Sequence, residues 1–191
     1  MENKPKFNYH YGDILDYIIS DEPTFVLHGC NCMCTMGAGI AGRLARLINV
    51  THADNTYGGL QGRHTPYHQA LKLGNISIAQ VTLDTTVING YTQFTPGPCF
   101  QMNAFELVMF KTISLIQRRD AETDTETSTL VMPRIGCGIA TPKGMDKRVQ
   151  WVLVQLSILR ICKEMKFDIN RITIIGMPGD ELIYEKPIKT P

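Results

Sequence analysis

The feature that most narrows the possible folds is a regular switch in the period of the hydrophobic residues. Short apolar, β-branched runs occur at 24–28, 76–81, 85–89, 129–132 and 171–175. Their length and composition suit buried strands. Between them lie segments with helical spacing. Residues 40–48 carry Leu44, Leu47 and Ile48 on one face; 104–118 repeat Leu107, Phe110 and Leu115; 147–165 repeat Val152, Leu156 and Leu159. Strands alternating with helices of that length predict an α/β fold with a mainly parallel or mixed sheet covered on both faces. The 191 residues, 43% hydrophobic and 19% charged, suit a globular chain with a sizeable core, and one domain over 1–191 is expected.

Charge and targeting signals remove several function classes. Nineteen Lys and Arg against 18 Asp and Glu leave a net charge of +1. That balance lacks the basic field with which nucleic-acid binders attract phosphates, yet a small anion can still be held by backbone amides. No apolar stretch approaches the roughly 20 residues that cross a bilayer, and the N-terminal residues lack a signal-peptide core, so a cytoplasmic protein without a membrane partner is expected. Six cysteines without a disulfide framework fit a reducing compartment. The run Cys30-Asn-Cys32-Met-Cys34 has no second His or Cys pair at zinc-finger spacing, so buried or loop thiols are expected, and no metal or cofactor. The acidic, threonine-rich stretch 120–128 reads as an exposed loop. The irregular stretch 49–74 holds His52, His64 and His68, which either reach a crevice or are exposed loop residues.

Two glycine loops, each following an expected strand, carry the chemistry. The first runs from His28 through Asn31 to Met36-Gly37-Ala38-Gly39-Ile40-Ala41, leading into a helix. The second is Arg134-Ile135-Gly136-Cys137-Gly138-Ile139-Ala140. Alternate glycines let successive N–H groups point at one place, the small residues admit a phosphate or sugar, and a helix start adds favourable partial charge. One such loop is as readily a simple turn; two at the C-terminal strand ends of one sheet favour a phosphate-containing ligand.

The segments Met36–Ala41 and Pro133–Ile139 resemble the two ligand loops of macrodomains. They are closest to the branch with the terminal ADP-ribose protein glycohydrolases and the yeast-type ADP-ribose-1″-phosphate phosphatases. Tyr11-Gly-Asp13-Ile14 resembles that family's opening strand, and 87–94 resembles the middle strand of bacteriophage-encoded members; together the likeness spans about residues 9–177. It implies a three-layer α/β/α macrodomain that binds ADP-ribose or a derivative, as a monomer, in the host cytoplasm if phage-encoded. By position, it places the adenine amino group on Asp13, a ring nitrogen on the Ile14 amide and the adenine border at Met177. It wraps the distal ribose and one phosphate with Gly37–Ala41, and gives amides of Arg134–Ala140 to the pyrophosphate and distal side.

The same resemblance implies hydrolysis at the distal ribose, either removal of a 1″-phosphate or cleavage of an ADP-ribosyl ester. Asn31 matches an asparagine that orients a ribose hydroxyl, and His28 matches a histidine of the phosphatases that can act as base or acid. Alone, His28 reads equally as a core histidine satisfied by a carbonyl, and Asp13 as a capping carboxylate. The glycohydrolase pattern departs here: Ala140 stands where that branch has an aspartate, and Asn89-Gly-Tyr91 where it has a lysine. Asp146 is the nearest later carboxylate, either catalytic or a helix-start aspartate. The alternative is a module that binds or sequesters such nucleotides without turnover.

Overall fold

The computed structural model describes residues 7–19, 21–47, 66–124, 128–177 and 180; His52, His64 and residues 125–127 lie outside them. The strands are β1 (Asn8–Tyr11), β2 (Thr24–Asn31), β3 (Ile76–Gln80), β4 (Thr85–Gln93), β5 (Thr129–Pro133) and β6 (Ile172–Gly176). The helices are α1 (Gly39–Leu47), α2 (Pro66–Lys72), α3 (Met102–Thr123) and α4 (Lys147–Glu164). All five expected strands form, and β1 joins them in one sheet of order β1-β6-β5-β2-β4-β3.

The sheet is mixed for a local reason. Four residues separate β3 from β4, and Thr82 Oγ1 accepts from the amides of Asp84 and Thr85 at 3.2 and 2.9 Å to close that turn. A connection so short permits only antiparallel pairing. The remaining neighbours are parallel. In β2 and β4 side chains alternate between two buried faces, so nearly every residue of both strands is buried rather than every second one. Phe25, Leu27, Ile88, Leu130 and Met132 face α3 and α4, whereas Val26, Val87 and Val131 face α1 and the short 3₁₀ turn Ile14–Tyr17. The result is three layers, α/β/α.

Three details differ from the sequence-based expectation. Helix α3 buries Phe105, Val108, Met109, Ile113 and Ile116, and leaves Leu107 and Phe110 outside; α4 buries Trp151, Val154, Ile158 and Ile161, and leaves Val152 and Leu156 outside. Both helices carry apolar residues on more than one stripe, and periodicity alone does not say which stripe meets the sheet. The expected loop at 120 is still helix: Asp120 is buried and paired with Arg171, and α3 ends at Asp124, whose backbone is left-handed with φ 52°. Part of the irregular 49–74 stretch forms α2. Among the described residues no helix is long and apolar enough to cross a membrane.

Phe105 is fully buried between α3 and the sheet. Phe105→Ala is expected to lower unfolding free energy by about 3–5 kcal/mol, measured by urea denaturation; a loss below about 1 kcal/mol would contradict this packing.

Candidate nucleotide cleft

Parallel pairing of β2 with both β4 and β5 brings the C-terminal ends of all three strands to one edge of the sheet. Loops leaving that edge enclose a cleft of about 380 Å³, walled by 34–41, by Thr92 and Gln93 at the end of β4 with Gly97 beyond it, and by the 135–140 loop. A second lobe of about 220 Å³ holds Asp13, Arg43, Arg134 and Met177. Ile40 and Gly138 line both lobes, so they adjoin.

The first glycine loop is shaped by its own side chains. A register shift between Cys30 and Asn31 breaks the β2–β4 ladder and re-aims the strand end. Asn31 Oδ1 accepts from the amides of Met33 and Thr35 at 3.1 and 3.2 Å, and its Nδ2 donates to the Thr35 carbonyl at 2.9 Å. Asn31 is thus a brace that curls the chain toward α1. A Cβ at Gly42 would sit 2.9 Å from the Gly37 carbonyl carbon, so glycine there lets the loop lie against the first helical turn. That turn presents N–H groups with no helical acceptor at Gly39, Ile40 and Ala41.

In the second loop, Gly136 has φ +80°, and a Cβ would fall 2.8 Å from the Phe100 ring, so this turn requires glycine. The Ile135 and Cys137 amides are used inside the loop, bonded to the carbonyls of Pro133 and Arg134. Among the described residues, the N–H groups of Gly136, Gly138 and Ile139 have no hydrogen-bond partner. Burial pushes the Cys137 thiol up to about 12, so it is a neutral wall group. The Arg134 side chain turns away from the main lobe. It pairs with Asp180 at 2.9 Å and lies within 5.5–5.9 Å of the Tyr9, Tyr11 and Trp151 rings.

Asp13 combines two roles. One oxygen caps the 3₁₀ turn through the Leu15 amide at 3.1 Å, and the other pairs with Arg43. The Arg43 hydrogen bond holds its carboxyl below the usual carboxylate range. Ile14 is buried below it, and Met177 is half-exposed at the rim. His28 lines the floor of the main lobe but is only 1% exposed. Its Nε2 lies 2.6 Å from Asn89 Oδ1, a side-chain partner where a carbonyl was the expected one. Burial depresses its pKa to about 4 against the upward pull of hydrogen bonds to Asn89 and to the Gly29 backbone, so the imidazole is neutral. Asp146 is not brought to the cleft; it caps α4, accepting from Arg148 and Val149, and is exposed on the surface. Among the described residues no three His, Cys, Asp or Glu side chains converge as a metal would need.

Sequence reasoning missed Thr92, Gln93 and Gly97, which form a third wall. The Pro-Gly-Pro turn at 96–98, just after a strand, was the available signal.

No family model matches this chain. A 17.5 kDa protein from the tk–vs intergenic region of Enterobacteria phage T4 is 33% identical over 135 residues, covering 69% of this chain and 78% of the relative. The chain belongs to that phage protein's family. A macrodomain protein from Streptomyces coelicolor superposes with a TM-score of 0.60 at 18% identity, over 90% of this chain and 99% of the other. A Thermosipho africanus DarTG structure in complex with ADP-ribose does so at 0.57 and 17% identity, over 97% of this chain and 44% of the other. The fold is therefore a macrodomain fold. The cleft in this fold lies where open α/β sheets place their ligands, outside the carboxyl ends of the strands.

Because folding favours neutral His28, its contribution to stability is complete above about pH 6.5. It is lost as pH falls toward about 4, by up to roughly 3 kcal/mol. Denaturation midpoints measured across that range should show the loss in the native chain and not in His28→Gln. Equal slopes would contradict the burial of this imidazole.

Proposed function

We propose that the cleft binds ADP-ribose or a close derivative, with its diphosphate between the two glycine loops and its adenine in the Asp13 lobe. The observation that carries this reading is the pair of facing loops with N–H groups left over, Gly39–Ala41 on one side and Gly136, Gly138 and Ile139 on the other. Such donors suit phosphate oxygens without any net charge on the protein. A carboxylate has about four lone-pair sites, so Asp13 can accept from an exocyclic amine while keeping Leu15 and Arg43. The bound ADP-ribose of the Thermosipho structure supports the same ligand class. Asn31 braces the loop, and its Nδ2 keeps a second hydrogen with which to orient a ribose hydroxyl.

Hydrolysis at the distal ribose is the second reading, supported by His28 on the cleft floor. With Nε2–H donated to Asn89, the lone pair is on Nδ1, and a neutral imidazole can take a proton. Asp146 lies too far out on α4 to assist without rearrangement, so the base, if there is turnover, is His28.

Gly138 has open space where its Cβ would stand and lines both lobes. Gly138→Leu is expected to leave the melting temperature within about two degrees and to weaken ADP-ribose binding at least about tenfold by calorimetry, because the new side chain occupies the junction. No binding by the native chain at millimolar ligand would overturn the reading. Phosphate release from ADP-ribose-1″-phosphate, compared with His28→Gln, tests turnover; equal rates would remove His28 from it.

A further inference from the structure

A line of polar side chains beside the cleft is not used by nucleotide recognition. Asn89 Nδ2 donates to Ser77 Oγ at 3.2 Å, and Ser77 Oγ lies 3.1 Å from the Tyr91 hydroxyl. Tyr91 in turn hydrogen-bonds the Cys34 thiol. The line begins at neutral His28. Its Nε2 donates to Asn89 Oδ1 and Asn89 donates to Ser77; between Ser77 and Tyr91 either hydroxyl can be the donor, and Tyr91 reaches Cys34. Burial raises the Tyr91 hydroxyl, which keeps it a donor. Tyr91, kept protonated, can donate its hydrogen to the sulfur at the end of the line.

A second donor meets the same atom. Lys72, at the end of α2, is 4% exposed, and its Nζ lies 3.1 Å from Cys34 Sγ and 3.3 Å from the Cys32 carbonyl. Among the described residues no carboxylate pairs with Lys72. A buried ammonium needs an anion beside it, and a carbonyl oxygen is not one. A Cys34 thiolate satisfies the ammonium, and it can accept from Tyr91 as well.

We propose that Cys34 is held as a thiolate and is a modification site for soft electrophiles, peroxides above all, in the wall of the cleft. The sulfur attacks one oxygen of the peroxide, an S–O bond forms and the O–O bond breaks. The sulfur is oxidised by two electrons to sulfenic acid, and the departing hydroxide takes a proton from solvent to become water. Cys34 lines the main lobe, so reagent reaches it there and the added oxygen occupies cleft volume.

The other thiols are arranged differently. Cys99, also partly exposed, donates its hydrogen to the Thr95 carbonyl at 2.9 Å. Cys30, Cys32, Cys137 and Cys162 are buried, and burial raises all four, Cys32 and Cys137 to about 12. The titratable groups facing Cys34 are Lys72 from α2, Tyr91 from β4, Cys30 from β2 and Cys32 from the turn just after it. Lys72 alone among them carries charge that favours an anion.

The test is alkylation of the native full chain by iodoacetamide, with each cysteine followed by peptide mass spectrometry. At about pH 6.5, Cys34 should react at least about tenfold faster than Cys99, with a rate nearly level to about pH 8. Dilute hydrogen peroxide followed by dimedone should label Cys34 first. Lys72→Met should reduce Cys34 to the rate of Cys99 and restore the steep rise with pH of an ordinary thiol. A native Cys34 whose rate climbs in parallel with that of Cys99 would overturn the proposal, and this comparison needs no variant to fold.

Discussion

Parallel pairing of β2 with a neighbour on each side is the constraint on which the rest of this molecule depends. A strand bonded on both edges and covered on both faces has only its ends free, so each side chain along it is either apolar or must find a polar partner inside the molecule. Its C-terminal end, together with those of β4 and β5, delivers three loops to one place. The cleft follows from this pairing, because glycines, helix start and Asn31 can shape a wall only where the sheet has already gathered the loops.

The same strand also carries the least apolar part of the interior. His28 and Asn89 are register partners on β2 and β4, and Ser77 is the partner of Asn89 on β3. Three polar side chains on one sheet face lie in a row under a layer that would otherwise be hydrophobic. Each is satisfied by the next, which makes the row tolerable and also gives it a direction. Removing one member leaves its neighbours buried with an unmet donor or acceptor, so these positions act as a unit.

Much of this was legible in the residues. The strands were visible because each is a compact apolar run, and the glycine loops because glycines recur at alternate positions after a strand. Asp13 as a capping carboxylate and Asp146 at a helix start were also open readings, and both carboxylates do cap. Less legible was anything that depends on which face meets which. Leu107 and Val152 are at proper helical spacing, yet the sheet selects Val108 and Trp151. The partner of His28 is 61 positions away and is chosen by strand register, which the sequence does not state. The third wall, at the end of β4 and just beyond it, was missed for the same reason: its relevance depends on strand order, not on local pattern.

Asn31 has a consequence for how the cleft meets any guest. Its amide is engaged on three sides by the loop it begins, so the wall is already folded before anything enters. A wall of that kind selects by outline. Guests whose acceptors match the spacing of the waiting N–H groups are taken without rearrangement, and mismatched ones find a surface with little freedom to accommodate them.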